Sequence, residues 1–355
     1  MNRITSENRT RGRGAGINPP NRFEALHYEV EDWCEPEEDP RPIKTSFFKD
    51  DSQSVISHNN SPDVGFDVSL NPYRGCEHGC AYCYARPTHE YLGFSAGVDF
   101  ETKILVKPNA ATLLAQELAK PSWRPQDLAL SGVTDPYQPI ERKLQITRAC
   151  LRVLADFRHP VHIITKNHLV TRDFDYLSEL TQYNAVSVTL SVTTLETRLS
   201  QILEPRASIP AYRLDAIATL RDHGIPVGVN VAPIIPGIND HEIAGILRAA
   251  AKAGASFAAY TIIRLPLTVA PVFIEWLERH FPDRKQKVLD RIRSLRDGKL
   301  NTAEFGKRMR GEGPIADQIR QMFDVCRLRY GITNDFKELS SAAFRRMSPG
   351  QLEMF

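Results

Sequence analysis

The chain has 355 residues, 42% of them hydrophobic and 25% charged, enough to bury a full core without disulfide staples. A net charge of +2 is too close to neutral to draw in nucleic acid through the field of the whole molecule. No leader peptide and no apolar run of about 18 residues is visible, so a cytoplasmic protein without a membrane partner is expected.

Residues 1–60 read as a flexible N-terminal segment, rich in Asn, Arg, Pro, Asp and Glu and without a period. Its first twenty residues read as a disordered or draped tail, and RTRGRGAG at 9–16 is a basic stretch of the kind that touches RNA or DNA. An acidic run follows at 29–39. Turn residues at 59–65 lead into a short strand at 66–70. Helices are then expected at 109–120 with Asn109 as cap, 144–157, 171–183, 211–223 and 240–253, the last two closed by Gly224 and Gly254. Between them fall strands at 127–133, 161–165, 185–192, 226–232 and 257–263. Strands alternating with helices of this length require right-handed crossovers and a parallel sheet. Six strands are too few for a closed eight-fold barrel. The expected fold is therefore α/β, a partial (β/α)6 TIM-like barrel over 61–270, with a helical, basic C-terminal extension over 271–355. In that extension 284–296 reads as a solvated helix covering the open barrel, or as a phosphate-binding patch together with Lys307, Arg308 and Arg310.

The densest chemistry lies in 71–86. Cys76, Cys80 and Cys83 are spaced C-x3-C-x2-C, with Gly75 and Gly79 to permit a tight wrap. The remaining cysteines, Cys34, Cys150 and Cys326, are too scattered for a secreted disulfide framework. A zinc site or an iron–sulfur cluster takes four ligands, and three thiols are offered. Either His78 or His89 completes a Cys3His zinc knot, or one metal position is left for a ligand that is not protein. Chemistry in parallel α/β sheets gathers at the carboxyl ends of the strands, and the cysteine loop follows the first strand. The polar runs 134–139 (with Thr134 and Asp135), 165–167 (with Lys166) and 191–194 (with Ser191), and Asn230, end or lie near the ends of later strands, so they should face the same cavity, unless each merely makes a turn or caps a helix.

NPYRGCEHGCAYCYARPTH at 71–89, TDPYQP at 134–139, ITKN at 164–167, EPRA at 204–207 and PIIPGIND at 233–240 together resemble one branch of the radical S-adenosylmethionine (SAM) enzymes. This branch includes spore photoproduct lyase and is often labelled "DNA repair photolyase". The resemblance implies that Cys76, Cys80 and Cys83 hold three irons of a [4Fe–4S] cluster. The amino and carboxylate groups of SAM would take the fourth iron, and reductive cleavage would yield a 5′-deoxyadenosyl radical. It further implies that the Tyr82 backbone meets the adenine and that Thr134 and Asp135 stand where the SAM amino group binds. Lys166 and Ser191 would reach the carboxylate or ribose, with Arg206 and Asn230 as further SAM contacts. An electron donor such as flavodoxin or ferredoxin is implied as a partner. One departure is visible. The resembled lyase is expected to carry a cysteine hydrogen donor near the end of the second strand, whereas 131–135 here reads SGVTD. The expected function is thus a radical SAM enzyme with an open substrate class that includes nucleic acid. The rival is a zinc-stabilised nucleic-acid-binding protein without catalysis.

Overall fold

Side-chain alternation along the strands determines how the sheet is covered, and a computed structural model of the chain shows the result. It describes residues 10–24, 42–333 and 338–347; Cys34 and the acidic run at 29–39 lie outside the described residues. In chain order the strands are β1 (Ser46–Lys49), β2 (Ile56–His58), β3 (Val68–Leu70), β4 (Tyr73–Arg74), β5 (Lys103–Val106), β6 (Leu128–Leu130), β7 (Val161–Thr165), β8 (Val186–Ser191), β9 (Val227–Ile234) and β10 (Phe257–Ile262). The main sheet runs β10-β9-β8-β7-β6-β3-β2. It is parallel from β3 to β10, with β2 antiparallel on its edge. These are the six parallel strands of the expected open barrel.

One face of this sheet is apolar up to Thr165 at the tip of β7: Val161, Ile163, Val186, Val188, Leu190, Val229 and Val231 are buried. Helices α1 (Val98–Thr102), α2 (Ala110–Ala119), α3 (Glu141–Leu144), α4 (Ile146–Phe157), α5 (Phe174–Thr181), α6 (Thr197–Leu203), α7 (Pro210–Asp222) and α8 (Ile243–Ala253) lie in the crossovers. The α4 stripe of Cys150, Leu151, Leu154 and Phe157 and the α8 stripe of Ile243, Ile246, Leu247 and Ala250 are buried with it. Each such aliphatic side chain contributes about 1.5–3 kcal/mol by leaving water. The opposite face carries small and polar residues in cross-strand rows: Ser69, Ala129, His162 and Ser187, then Thr189 beside Gly228 and Ser191 beside Asn230. A barrel interior lined this way keeps room for ligands.

Gly224 and Gly254 do end their helices at positive φ, 73° and 101°. Asn109 stands at the N-cap of α2 but its side chain makes no capping bond, whereas Asn167 Oδ1 accepts from Leu169 N at the turn before α5. Strands β1, β2, β4 and β5 have no counterpart in the sequence reading. At two to four residues they are too short to show a period, and β1 is exposed throughout. A small second sheet, β1-β5-β4, backs the cysteine loop.

After β10 come α9 (Val269–His280), α10 (Lys285–Ser294) and α11 (Pro314–Arg329). On α10, Val288, Leu289 and Ile292 are buried, while Lys285, Arg291 and Arg293 pair with Glu278, Asp240 and Asp290. The loop 305–310 bridges the open side of the barrel. Met309 O accepts from Ile262 N of β10 (3.0 Å), Asp63 Oδ1 accepts from Gly306 N (2.6 Å), and Arg308 pairs with Asp63 next to the β2–β3 connection. Among the described residues no helix is long and apolar enough to cross a membrane.

Candidate functional site: a cysteine loop at the strand tips

The chain leaves β3, pairs briefly as β4 against β5, and turns through Gly75 (φ 77°) and Gly79 (φ 66°) to wrap 76–83 into a loop. Cys76 N donates to Phe100 O (2.9 Å) and Ala81 N to Leu203 O (3.0 Å). Gln138 accepts from Glu77 N (2.9 Å) and donates to Gly75 O (3.3 Å). Arg86, fully buried, donates to Cys80 O (2.8 and 3.1 Å) and pairs with Glu101 (2.5 Å). The loop is thus clamped from several elements, as an ordered ligand set requires.

Cys76 and Cys80 are 7% and 8% exposed, and Cys83 is somewhat more open. Burial pushes all three thiols above their ordinary pKa; Asp135 adds to this at Cys76 and Glu204 at Cys80, while Arg86 opposes it at Cys83. Such sulfurs become thiolates when a bound cation replaces the proton. The donor set fits a cluster held by three thiolates. It fits a zinc knot poorly. Among the described residues no three His, Cys, Asp or Glu side chains, these cysteines included, close around a single ion, and neither nearby histidine is turned to complete a knot. His78 Nδ1 lies 3.3 Å from Asp135 Oδ2, with its Nε2 near Asn167. His89 is packed edge-on to Phe100, and burial lowers its pKa to about 4.

The strand-end residues fall into two groups. Lys166 and Tyr82 converge on Glu204. The Lys166 Nζ is 3.8 Å from Glu204 Oε1 and 5.9 Å from the Tyr82 ring centre, and the Tyr82 hydroxyl donates to the same carboxylate. Glu204 also accepts from Thr193 Oγ1 (2.6 Å) and from Arg213 (2.5 Å). Burial pushes its carboxyl up, but Arg213, Lys166 and these hydrogen bonds outweigh it and hold the pKa below the ordinary value. Asp135 and Thr134 are braces. Asp135 accepts from Tyr137 N (2.9 Å), Thr165 Oγ1 (2.7 Å) and Lys166 N (2.8 Å), so its carboxylate ties the tips of β6 and β7 together. Thr134 Oγ1 donates to Tyr73 O (2.8 Å). Arg206 Nη1 sits 3.3 Å from Glu77 Oε1 on the outer lip. Ser191 is buried, its carbonyl taken by Arg213 (3.0 Å). Beside it in register, the buried Asn230 Oδ1 has no hydrogen-bond partner among the described residues, an acceptor open to a ligand.

Sequence reasoning gave no site role to Asn71, Glu204 or Arg213. Asn71 and Glu204 stand inside the motifs NPYRGC and EPRA and Thr193 inside the polar run 191–194, whereas Arg213 had no signal. Asn71 Oδ1 accepts from Gly132 N (3.2 Å), Val133 N (2.9 Å) and Thr134 N (3.2 Å), holding Ser131 at φ 101°, where L side chains rarely sit. Asn71→Ala leaves three amides without their acceptor. A loss of about 1–3 kcal/mol in denaturant unfolding is expected, together with weaker SAM binding in equilibrium dialysis.

Tyr84 and Arg264 form a rim beside the loop, and the 305–310 segment adds two further guanidinium–aromatic pairs. Tyr84, half exposed, donates to Gly132 O (2.9 Å), and Arg264 lies 5.2 Å over its ring. Arg310 stacks 3.7 Å over Tyr260, and Arg308 lies 4.6 Å over Phe305. Arg264 donates to the Met309 sulfur (3.4 Å) and makes no ion pair among the described residues; burial and then Arg308 lower its pKa.

Comparison with known proteins agrees with this geometry. The profile of the radical SAM superfamily matches residues 70–250. An uncharacterized protein of Mycobacterium tuberculosis is 37% identical over 226 residues, 63% of this chain and 66% of the relative, so the match spans just under two thirds of that relative. A protein of Pseudomonas phage M6 named radical SAM Nalpha-GlyT isomerase is 26% identical over 226 residues, 63% of this chain and 45% of the relative. Spore photoproduct lyase in complex with dinucleoside spore photoproduct has the same fold at 15% identity, with a TM-score of 0.57 over 80% of this chain and 79% of that one. The chain belongs to the radical SAM superfamily, enzymes whose cofactors are a [4Fe–4S] cluster and SAM.

Proposed function

We propose that the protein cleaves SAM at a cluster held by Cys76, Cys80 and Cys83 and acts on an anionic, nucleic-acid-like substrate bound across the Tyr84–Arg264 rim. When bound, the cluster and SAM supply a 5′-deoxyadenosyl radical. The chain's own residues orient and enclose. Lys166 is the cation for the SAM carboxylate, and Ser191, Asn230 and Arg206 are the contacts for its ribose and remaining polar atoms. The backbone after β6, held by Asn71, Thr134 and Asp135, receives the amino group, and the Tyr82 backbone receives the adenine. A small reduced redox protein of the flavodoxin or ferredoxin kind delivers the electron.

The observation behind the substrate class is Arg264. Two guanidiniums, Arg264 and Arg308, share the rim with one paired carboxylate, Asp63, which leaves a partly desolvated positive charge beside Cys83's neighbour Tyr84. Such a charge favours an anion, and the exposed Tyr84 ring offers a stacking surface for a base. The test is a dithionite-driven SAM-cleavage assay on anaerobic protein, paired with binding of a fluorescent single-stranded oligonucleotide. Arg264→Ala should weaken oligonucleotide binding about tenfold and reduce the salt slope by about one. Intact SAM cleavage with no oligonucleotide binding by the wild type would sink the substrate class alone. The ratio of 5′-deoxyadenosine formed to substrate turned over separates a SAM-consuming reaction from an isomerase that regenerates SAM.

A further inference from the structure

We propose that the N-terminal strap 10–18 forms one wall of the cluster site, with Gly14 and Arg13 as positioning residues that hold the cysteine loop closed against water and oxygen. This rests on the reading that Cys76, Cys80 and Cys83 hold the cluster. The strap comes from outside the 70–250 region that matches the superfamily.

Two main-chain crossings carry the argument. Gly14 lies against Gly79, inside the cysteine motif: a Cβ on Gly14 would stand 1.8 Å from Gly79 O and 3.1 Å from Ala81 N. Ile17 lies against Gly97 in the same way, where a Cβ on Gly97 would stand 1.9 Å from Ile17 O. Only glycine permits backbones to approach this closely. The crossings are locked by one fully buried carboxylate. Glu101 accepts from Gly14 N (3.0 Å), Ala15 N (2.8 Å) and Arg86 (2.5 Å), and Arg86 in turn holds Cys80 O (2.8 Å) and Gly97 O (2.8 Å). A continuous path of charge-assisted hydrogen bonds therefore runs from the strap to a cluster ligand.

The strap is also fastened on its outer side. Arg13, 5% exposed, donates to Glu101 O (2.9 Å), Ile43 O (2.9 Å) and Thr45 Oγ1 (3.0 Å). Arg279 of α9 donates to Gly14 O (2.8 Å), and Glu275 of α9 accepts from Gly16 N (3.2 Å). Arg13, the second cation of the RGRG stretch, is thus committed inside the fold. Detaching the strap would strip two donors from a buried carboxylate and admit water behind the loop. Hydration favours the more negatively charged, reduced form of a cluster, so its reduction potential would rise, and oxygen would reach it sooner.

The test uses the full-length protein, reconstituted anaerobically. Gly14→Val and Arg13→Met should retain iron without oxygen, but their visible absorbance should bleach in air at least about tenfold faster, since one charge-assisted hydrogen bond is worth about that factor and Arg13→Met removes three. The midpoint potential should move positive, with an altered electron paramagnetic resonance spectrum of the reduced protein. Arg13→Lys, which keeps the charge and a donor, should return the bleaching rate toward wild type. Wild-type bleaching and potential in Arg13→Met would overturn the proposal, and that variant decides the matter if Gly14→Val does not fold by circular dichroism. A Cys83→Ala variant that still holds a full complement of iron would instead overturn the cysteine reading beneath it.

Discussion

Cys83→Ala protein, purified without oxygen, is expected to be colourless, to hold little iron and to form no 5′-deoxyadenosine with dithionite and SAM. The loop offers three thiols, all pushed up by burial, and the two nearby histidines are engaged elsewhere, His78 with Asp135 and His89 against Phe100. Removing one leaves two, below what holds either a cluster or a zinc ion. The effect is all-or-none because the ligand set has no spare. Iron analysis and chromatographic detection of 5′-deoxyadenosine read it directly. Full SAM cleavage by this variant would refute the assignment of the three cysteines.

Glu204→Ala is expected to cost about 3–5 kcal/mol in denaturant unfolding, because it leaves the Arg213 guanidinium buried without its counter-charge. The Tyr82 hydroxyl loses its acceptor in the same step, while Thr193 keeps the Ala232 carbonyl. Since Tyr82 lies between two of the cysteines and Lys166 loses its nearest carboxylate, SAM binding should fall as well. Glu204→Gln keeps the shape without the charge and should recover part of the stability. The pH dependence has a definite sign. The folded pKa of Glu204 is depressed, so its contribution is complete above the ordinary carboxylate value of about 4.3 and is lost as pH falls through the lower folded value. The Gln variant should therefore show a flatter stability curve below about pH 4. Identical acid limbs in the two proteins would show that Glu204 is not held ionised by its partners.

The site also separates side chains by what they are free to do. Asp135 stands at a strand tip where a ligand contact was expected, but its oxygens are occupied by Tyr137, Thr165 and Lys166. Its effect on a ligand would pass through the backbone it holds. Asn230, equally polar and equally placed by the alternation of β9, keeps an open acceptor. Nothing in the residue types alone distinguishes the two. The N-terminal arm shows the same limit: where composition allowed a disordered or draped tail, residues 10–24 are draped, because Glu101 and Glu275 offer carboxylates to its amides.

From its residues alone, this protein declares three closely spaced thiols, the strand–helix alternation and the parallel open barrel that places the loop at the strand tips. Those features are written in neighbouring positions, as spacing and period, and so survive without coordinates. Only the tertiary structure shows that Glu204 joins Tyr82 across 122 positions, that Asn71 caps a loop 61 positions later, and that Gly14 reaches Glu101 across 87. Such contacts depend on which surfaces the folded sheet brings within hydrogen-bond distance, and no local pattern encodes that.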